Sequence, residues 1–126
     1  MADESAPDTV NLAEKLALFA DHWNPRIVGR YNGNEVRLAK LKGEFIWHSH
    51  AGTDELFLVL KGRLDIEFRD GVRTLGPGEF LVVPKGVEHR PVAPEEVELL
   101  IMDREGEPNT GVEPVSELTR AKLETL

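Results

Sequence analysis

Two of the chain's four histidines, His48 and His50, stand at i and i+2 in a segment that reads as a strand, residues 44–50. Side chains on a strand alternate faces, so this spacing puts both imidazoles on one side and Trp47 and Ser49 on the other. Paired imidazoles are poor core material: each ring has nitrogens that need partners, and protonating both sets like charges together. A shared metal ion resolves both problems. Glu55 follows five residues later, past the turn Ala51-Gly52-Thr53-Asp54, and opens an apolar strand that would run back beside the pair. Coordinating a cation is one reason for a carboxylate there, and lying at an exposed strand end is another. His89, at the head of a later strand after Pro84-Lys85-Gly86, reaches the same point only if the sheet closes on itself. His22 lies apart, between Asp21 and Trp23 at a helix end, a position suited to the helix dipole.

The elements that must position these residues are mostly short strands. Asn11 followed by Glu14 predicts a helix start, and Leu12, Leu16, Phe19 and Trp23 form one apolar helical face ending before Pro25. From residue 26 onward the pattern changes. Strands are expected over 26–31, 35–41, 44–50, 55–60, 63–68, 79–83, 88–92 and 97–103, with hairpin turns at Asn32-Gly33 and Asp70-Gly71 and a corner at Gly76-Pro77-Gly78. Many short strands without alternating helices predict an all-β antiparallel sandwich or barrel. Residues 55–60 and 80–83 are apolar on both parities, although a strand in a lone barrel needs only one apolar face. A covering helix or a second copy of the chain accounts for the other face, and a homodimer is expected. The tail after Gly106 is polar, with a short helix expected over 116–126.

Bulk properties narrow the function classes. The 126 residues suit one domain, divided here into a tail and covering helix (1–25), a barrel (26–105) and a C-terminal tail (106–126). A net charge of −8, with 15 scattered lysines and arginines, argues against nucleic acid or an anionic membrane as partner. The lack of cysteine excludes disulfides, thiolate ligands and cysteine nucleophiles. The acidic N-terminus has no signal-peptide pattern, and no apolar run approaches the roughly 20 residues of a membrane span. A cytoplasmic protein is expected.

The wider spacing is more specific than any single residue. Gly43, His48-x-His50, Glu55 and Gly62 form one block, and Gly78, Pro84-x-Gly86 and His89 form a second, with fifteen residues between Gly62 and Gly78. This arrangement resembles the two motifs of the cupin superfamily, in particular its small single-domain bacterial members of the phosphomannose-isomerase-like group, over about residues 35–103. The first glycine-to-histidine gap is one residue shorter than usual, and Ala93 stands where an asparagine is usual. The resemblance implies an antiparallel double-stranded β-helix, a jelly-roll barrel, with a metal held by His48, His50, Glu55 and His89. Such a set suits one divalent transition metal, Fe, Mn, Ni, Cu or Zn. If the ion is octahedral, four ligands leave two positions open.

Parity names candidate pocket residues. Ile46 shares the face of His48, and Phe57 and Val59 that of Glu55; Phe80, Arg90 and Met102 are further candidates. A fold does not fix a reaction. A metal-dependent enzyme on a small organic substrate is expected, oxygenase-type first and sugar isomerase or epimerase next. The alternative is a non-catalytic metal- or ligand-binding module. A phosphosugar enzyme needs converging cations near the metal, with Arg37, Lys40, Lys42 and Arg90 as the available sources.

Overall fold

A computed structural model describes residues 5–111, 116–120 and 122–126. The elements are α1 (Leu12–Leu16), β1 (Arg26–Tyr31), β2 (Asn34–Glu44), β3 (Glu55–Lys61), β4 (Leu64–Phe68), β5 (Gly71–Leu75), β6 (Phe80–Val83) and β7 (His89–Arg104). All strand pairs are antiparallel, in the order β1-β2-β7-β3-β6, with β4 joining β7 to β5. The architecture is the jelly-roll barrel.

Closure rests on two long strands shared between the sheets. The first part of β7 pairs with β4, from Phe68↔His89 to Asp65↔Val92, and its last part pairs with β3, from Lys61↔Glu98 to Leu56↔Met102. β2 follows β7 throughout, but its register shifts between Leu41 and Gly43, whose φ is +89°. An irregularity of this kind bends the strand pair, and glycine takes the left-handed backbone without penalty. The two ends of β7 therefore lie in opposed sheets. Between them, alternate side chains of β7, Val97, Leu99 and Ile101, point into a core shared with Val59, Leu64 and Ile66. Each such side chain, fully buried, contributes about 1.5–3 kcal/mol.

Outside the barrel, Leu16 and Phe19 pack on Val28 and Leu38. Asn11 caps α1 by accepting from Glu14 N–H at 2.9 Å. The helix is shorter than its apolar periodicity implies, because tertiary contacts take over the chain after Ala17. Trp23 N–H donates to Lys40 O at 3.0 Å, and Phe19 is held under the cations of Arg26 and Lys40.

Other expectations are corrected. Residues 45–50 are not a continuous strand: β2 ends at Glu44, and a single bridge pairs His48 with His89. The expected strands 88–92 and 97–103 are one strand, β7. β5 was not expected: Val72, Arg73 and Thr74 are exposed and only Leu75 is buried. Its hairpin loop is Arg69-Asp70, one residue before the expected turn, because Phe68 pairs with Gly71. No helix forms among the described residues of 116–126. Residues 124–126 instead run along β1, with Ile27 N–H donating to Glu124 O and Leu126 N–H to Ile27 O, both at 2.9 Å. No helix among the described residues is long and apolar enough to cross a membrane.

Candidate metal centre

The bent barrel brings together the residues that its sequence scatters. Glu55 opens β3 in one sheet and His89 opens β7 in the other. His48 is tied to His89 by two backbone hydrogen bonds, His48 N–H to His89 O at 3.0 Å and His89 N–H to His48 O at 2.9 Å. The His48 and His89 ring centroids are 4.2 Å apart, and those of His48 and His50 are 5.1 Å apart. All four side chains are buried, and one donor atom from each of His48, His50, Glu55 and His89 lies within 4.8 Å of the others.

The hydrogen bonds leave one ring nitrogen of each histidine for a ligand. His48 donates Nδ1–H to Ile46 O at 3.0 Å, His89 donates Nδ1–H to Val87 O at 3.0 Å, and His50 donates Nδ1–H to Glu107 Oε2 at 2.9 Å. Each partner is an acceptor only, so Nδ1 carries the proton and Nε2 is free. His89 Nε2 lies 3.1 Å from Glu55 Oε1. His50 Nε2 is buried without a hydrogen bond, although Glu55 Oε2 stands 3.3 Å away. A buried nitrogen without a partner, two further imidazoles and a carboxylate fit a divalent transition ion. The four residues are positioned to hold one.

Electrostatics in the cluster are uneven. Burial, and then the charge of His89, lower His48 to about 4, which keeps it neutral. Burial also pulls His50 down, but Glu55 and Glu107 outweigh it and leave His50 raised. Burial alone would raise Glu55, yet its close neighbours His50, then His89 and Asp103, hold it well below the usual carboxylate range. Asp103 Oδ2 accepts from Arg37 Nη1 at 3.2 Å, while its Oδ1 is buried without a partner. Burial first, and then the charge of Glu55, push Asp103 up to about 11. A neutral carboxylic acid thus stands beside the ionised Glu55.

The Cupin domain family model matches residues 34–103. The chain belongs to the cupin family. A crystal structure of a cupin-2 domain protein from Shewanella frigidimarina is 47% identical, superposes with a TM-score of 0.74, and is covered over 93% of its length by 75% of this chain. Protein NMB1881 from Neisseria meningitidis is 35% identical, with a TM-score of 0.71, over 77% of this cupin and 99% of that chain. The uncharacterized protein YdbB of Bacillus subtilis is 44% identical over 64 residues, which span 50% of this chain and 57% of that protein.

Beside this cupin's cluster lies a small cavity of about 30 Å³. His48, Glu55, Arg37, Asp103 and Asn109 supply its polar wall, and Trp23, Leu41, Phe45, Phe57 and Ile101 are among its apolar lining. Trp23 stacks on Phe45 with centroids 4.8 Å apart and takes a left-handed φ of 59°, costly for a bulky residue. Its N–H bond to Lys40 O and an Nε1–H bond to Lys42 O at 2.9 Å hold it there.

Of the pocket candidates named from parity, Phe57 lines this cavity. Val59 is buried in the barrel core instead. Ile46 contributes its carbonyl to His48 and not its side chain to the wall. Phe80 is 65% exposed on β6. Arg90 turns away to Glu67, at 2.8 Å, and toward the Trp47 ring. Met102 lies on the opposite face of β7 from Ile101 and Asp103. Trp23, Phe45, Asp103, Glu107 and Asn109 were not anticipated. Asp103 left a signal: it follows Val97, Leu99 and Ile101 on the inward parity of β7, where a charged residue breaks an apolar column. Phe45 left none, because the irregular path of 45–50 breaks the period-two rule that pointed to Ile46.

Proposed function

We propose that this cupin is a metal-dependent enzyme acting on a small, largely apolar organic molecule, with oxygenase-type chemistry ahead of isomerisation. The observation that carries this reading is that two of the four clustered donors, His48 and Glu55, also line the adjoining cavity. A purely structural metal site is normally closed. Iron, manganese, nickel, copper or zinc suits the donor set, and a bound ion would supply Lewis acidity and, where redox-active, electrons for O₂ chemistry.

The chain's own residues bear on the substrate class. His48 and His50 stay fixed in one tautomer. Glu55 stays ionised beside Asp103, which keeps a proton at the cavity wall. The cation on the cavity wall, Arg37, is already engaged by Glu35 at 2.7 Å and Asp103 at 3.2 Å. Lys40 turns to Phe19 O and Arg90 to Glu67. No free cation among the lining residues is left for a phosphate, which weakens the phosphosugar alternative and favours an uncharged substrate. Trp23, Phe45 and Phe57 offer such a molecule flat apolar contact.

Elemental analysis of protein purified without added metal or chelator, followed by O₂ uptake against small phenols, diketones and thiols, tests the reading. Near-stoichiometric iron, nickel or copper with substrate-dependent O₂ consumption is expected. Manganese or zinc without O₂ uptake would move the reading to isomerase or lyase chemistry, and absence of metal would leave a small-ligand binding module. The same proposal includes a homodimer, supported by the exposed apolar side chains of edge strand β6.

A further inference from the structure

The three imidazoles of the cluster are not supported alike. His48 and His89 each donate Nδ1–H to the carbonyl two residues earlier, a local arrangement. For His50 the equivalent carbonyl is that of His48, which is already engaged by His89 N–H across the bridge. His50 instead donates to the Glu107 carboxylate at 2.9 Å, 57 residues along the chain. Glu107 lies beyond β7 and outside the residues 34–103 that match the family model.

Glu107 is itself held. Its side chain is 10% exposed. Its carbonyl accepts from Arg37 Nη2 at 2.9 Å, and its N–H donates to Arg104 O at 3.1 Å. Four residues on, Gly111 passes so close to the histidine segment that a Cβ there would lie 2.0 Å from Ser49 O and 3.0 Å from His50 Nδ1. Between these two points Asn109 faces the cavity and ties the segment down, donating to Leu118 O at 2.8 Å. The stretch 107–111 therefore meets the Nδ1 edge of His50 at two points.

We propose that Glu107 is a positioning residue of the metal centre, supplied by the segment after the barrel. It fixes His50 as the Nδ1–H tautomer and aims Nε2 at the other donors. Its negative charge also makes the imidazole a stronger ligand than a backbone carbonyl would. A carboxylate behind a ligating histidine commonly accounts for about 10- to 100-fold in metal affinity. The proposal rests on the metal-centre reading of His48, His50, Glu55 and His89.

The test uses the full chain, metal-free, as wild type, Glu107→Gln, Glu107→Ala and His50→Ala. Zn²⁺ affinity is measured by competition with a chromophoric chelator at pH 7.5, where the imidazoles are free to ligate. Imidazole ¹⁵N NMR reports the tautomers without metal. Glu107→Ala should bind Zn²⁺ about 10- to 100-fold more weakly. Its His50 should lose the pure Nδ1–H signature while His48 and His89 keep theirs, a pattern that general loosening of the fold would not produce. Glu107→Gln, which keeps an acceptor oxygen, should fall between, and it carries the test if the alanine variant does not fold. Wild-type affinity and an unchanged His50 tautomer in both variants, with His50→Ala impaired, would overturn the role of Glu107 and leave the metal centre standing. Failure of the wild type to bind Zn²⁺ would bring down both.

Discussion

His48 and His50 are two residues apart in one buried cluster, yet they answer to pH in opposite senses. His48 is lowered to about 4 by burial and by the neighbouring His89, whereas His50 is raised by Glu55 and Glu107 against the effect of its burial. A histidine with a depressed folded value costs stability as pH falls below its unfolded value of about 6.5, because only the unfolded chain gains the proton. His50 contributes the reverse, stability fully present below about 6.5 and lost as pH rises through its folded value. Glu55, held low, loses its contribution only in stronger acid, below the usual carboxylate range. Between pH 6.5 and 4.5 Asp103, raised to about 11 and so protonated only in the folded chain, opposes His48, and the His48 part is read from the difference between wild type and His48→Gln. In the metal-free protein the stability of wild type relative to His48→Gln should fall by about 2 kcal/mol over that interval. Urea titrations of both proteins at a series of pH values measure it; a difference that stays constant across that interval would contradict a buried, neutral His48. At the same scale, His89→Ala should abolish stoichiometric metal binding, which full metal occupancy in that variant would refute. The ligand residues were legible because period two aligns His48 with His50 and the block spacing adds Glu55 and His89. Glu107 was not, since no local pattern couples a residue to a partner 57 positions away.

Elements were legible where turn chemistry marks them. Asn32 and Gly33 both take positive φ, 49° and 76°, which is the twist a two-residue hairpin loop needs between β1 and β2. Strands that run through a bend were harder to read. β7 crosses from one sheet to the other near Ala93-Pro94-Glu95-Glu96, and a proline with two glutamates looks like a break in sequence although the backbone stays extended. Gly62, in the link between β3 and β4, lies against that crossing. Its φ is +88°, and a Cβ there would sit 2.7 Å from Glu96 O. Gly33, by contrast, has φ +76° and open space around it. Gly33→Ala should therefore cost about 1 kcal/mol, the backbone penalty alone, and Gly62→Ala about 2–3 kcal/mol. Chemical denaturation of the two variants separates the terms. Equal losses would mean that the β7 crossing yields freely and does not constrain how the sheets meet.

For the whole molecule, the open question is what meets the edge of the larger sheet. Apolar residues on both parities of β3 and β6 called for a cover, and the N-terminal segment supplies only part of it. Leu60 of β3 packs into the cluster of Leu16, Phe19, Val28 and Leu38, but Phe80 and Val82 of β6 remain 65% and 42% exposed. β6 also ends the order of strands, so one side of its backbone has no partner strand in the sheet. Soluble proteins usually guard such edges with charge or proline. Here the four residues Phe80, Leu81, Val82 and Val83 carry none, and the guards Glu79 and Pro84 stand only at the ends. A second copy placing its own β6 alongside would bury both edges about a twofold axis, where every contact counts twice. Burying most of one phenylalanine contributes about 1.5–2 kcal/mol, so Phe80→Lys, acting in both copies, should weaken the dimer by about a hundredfold or more. Light scattering across a dilution series checks this. A wild type that stays monomeric at high concentration would reject the dimer, and a Phe80→Lys protein that dimerises as tightly as wild type would place the interface on another face.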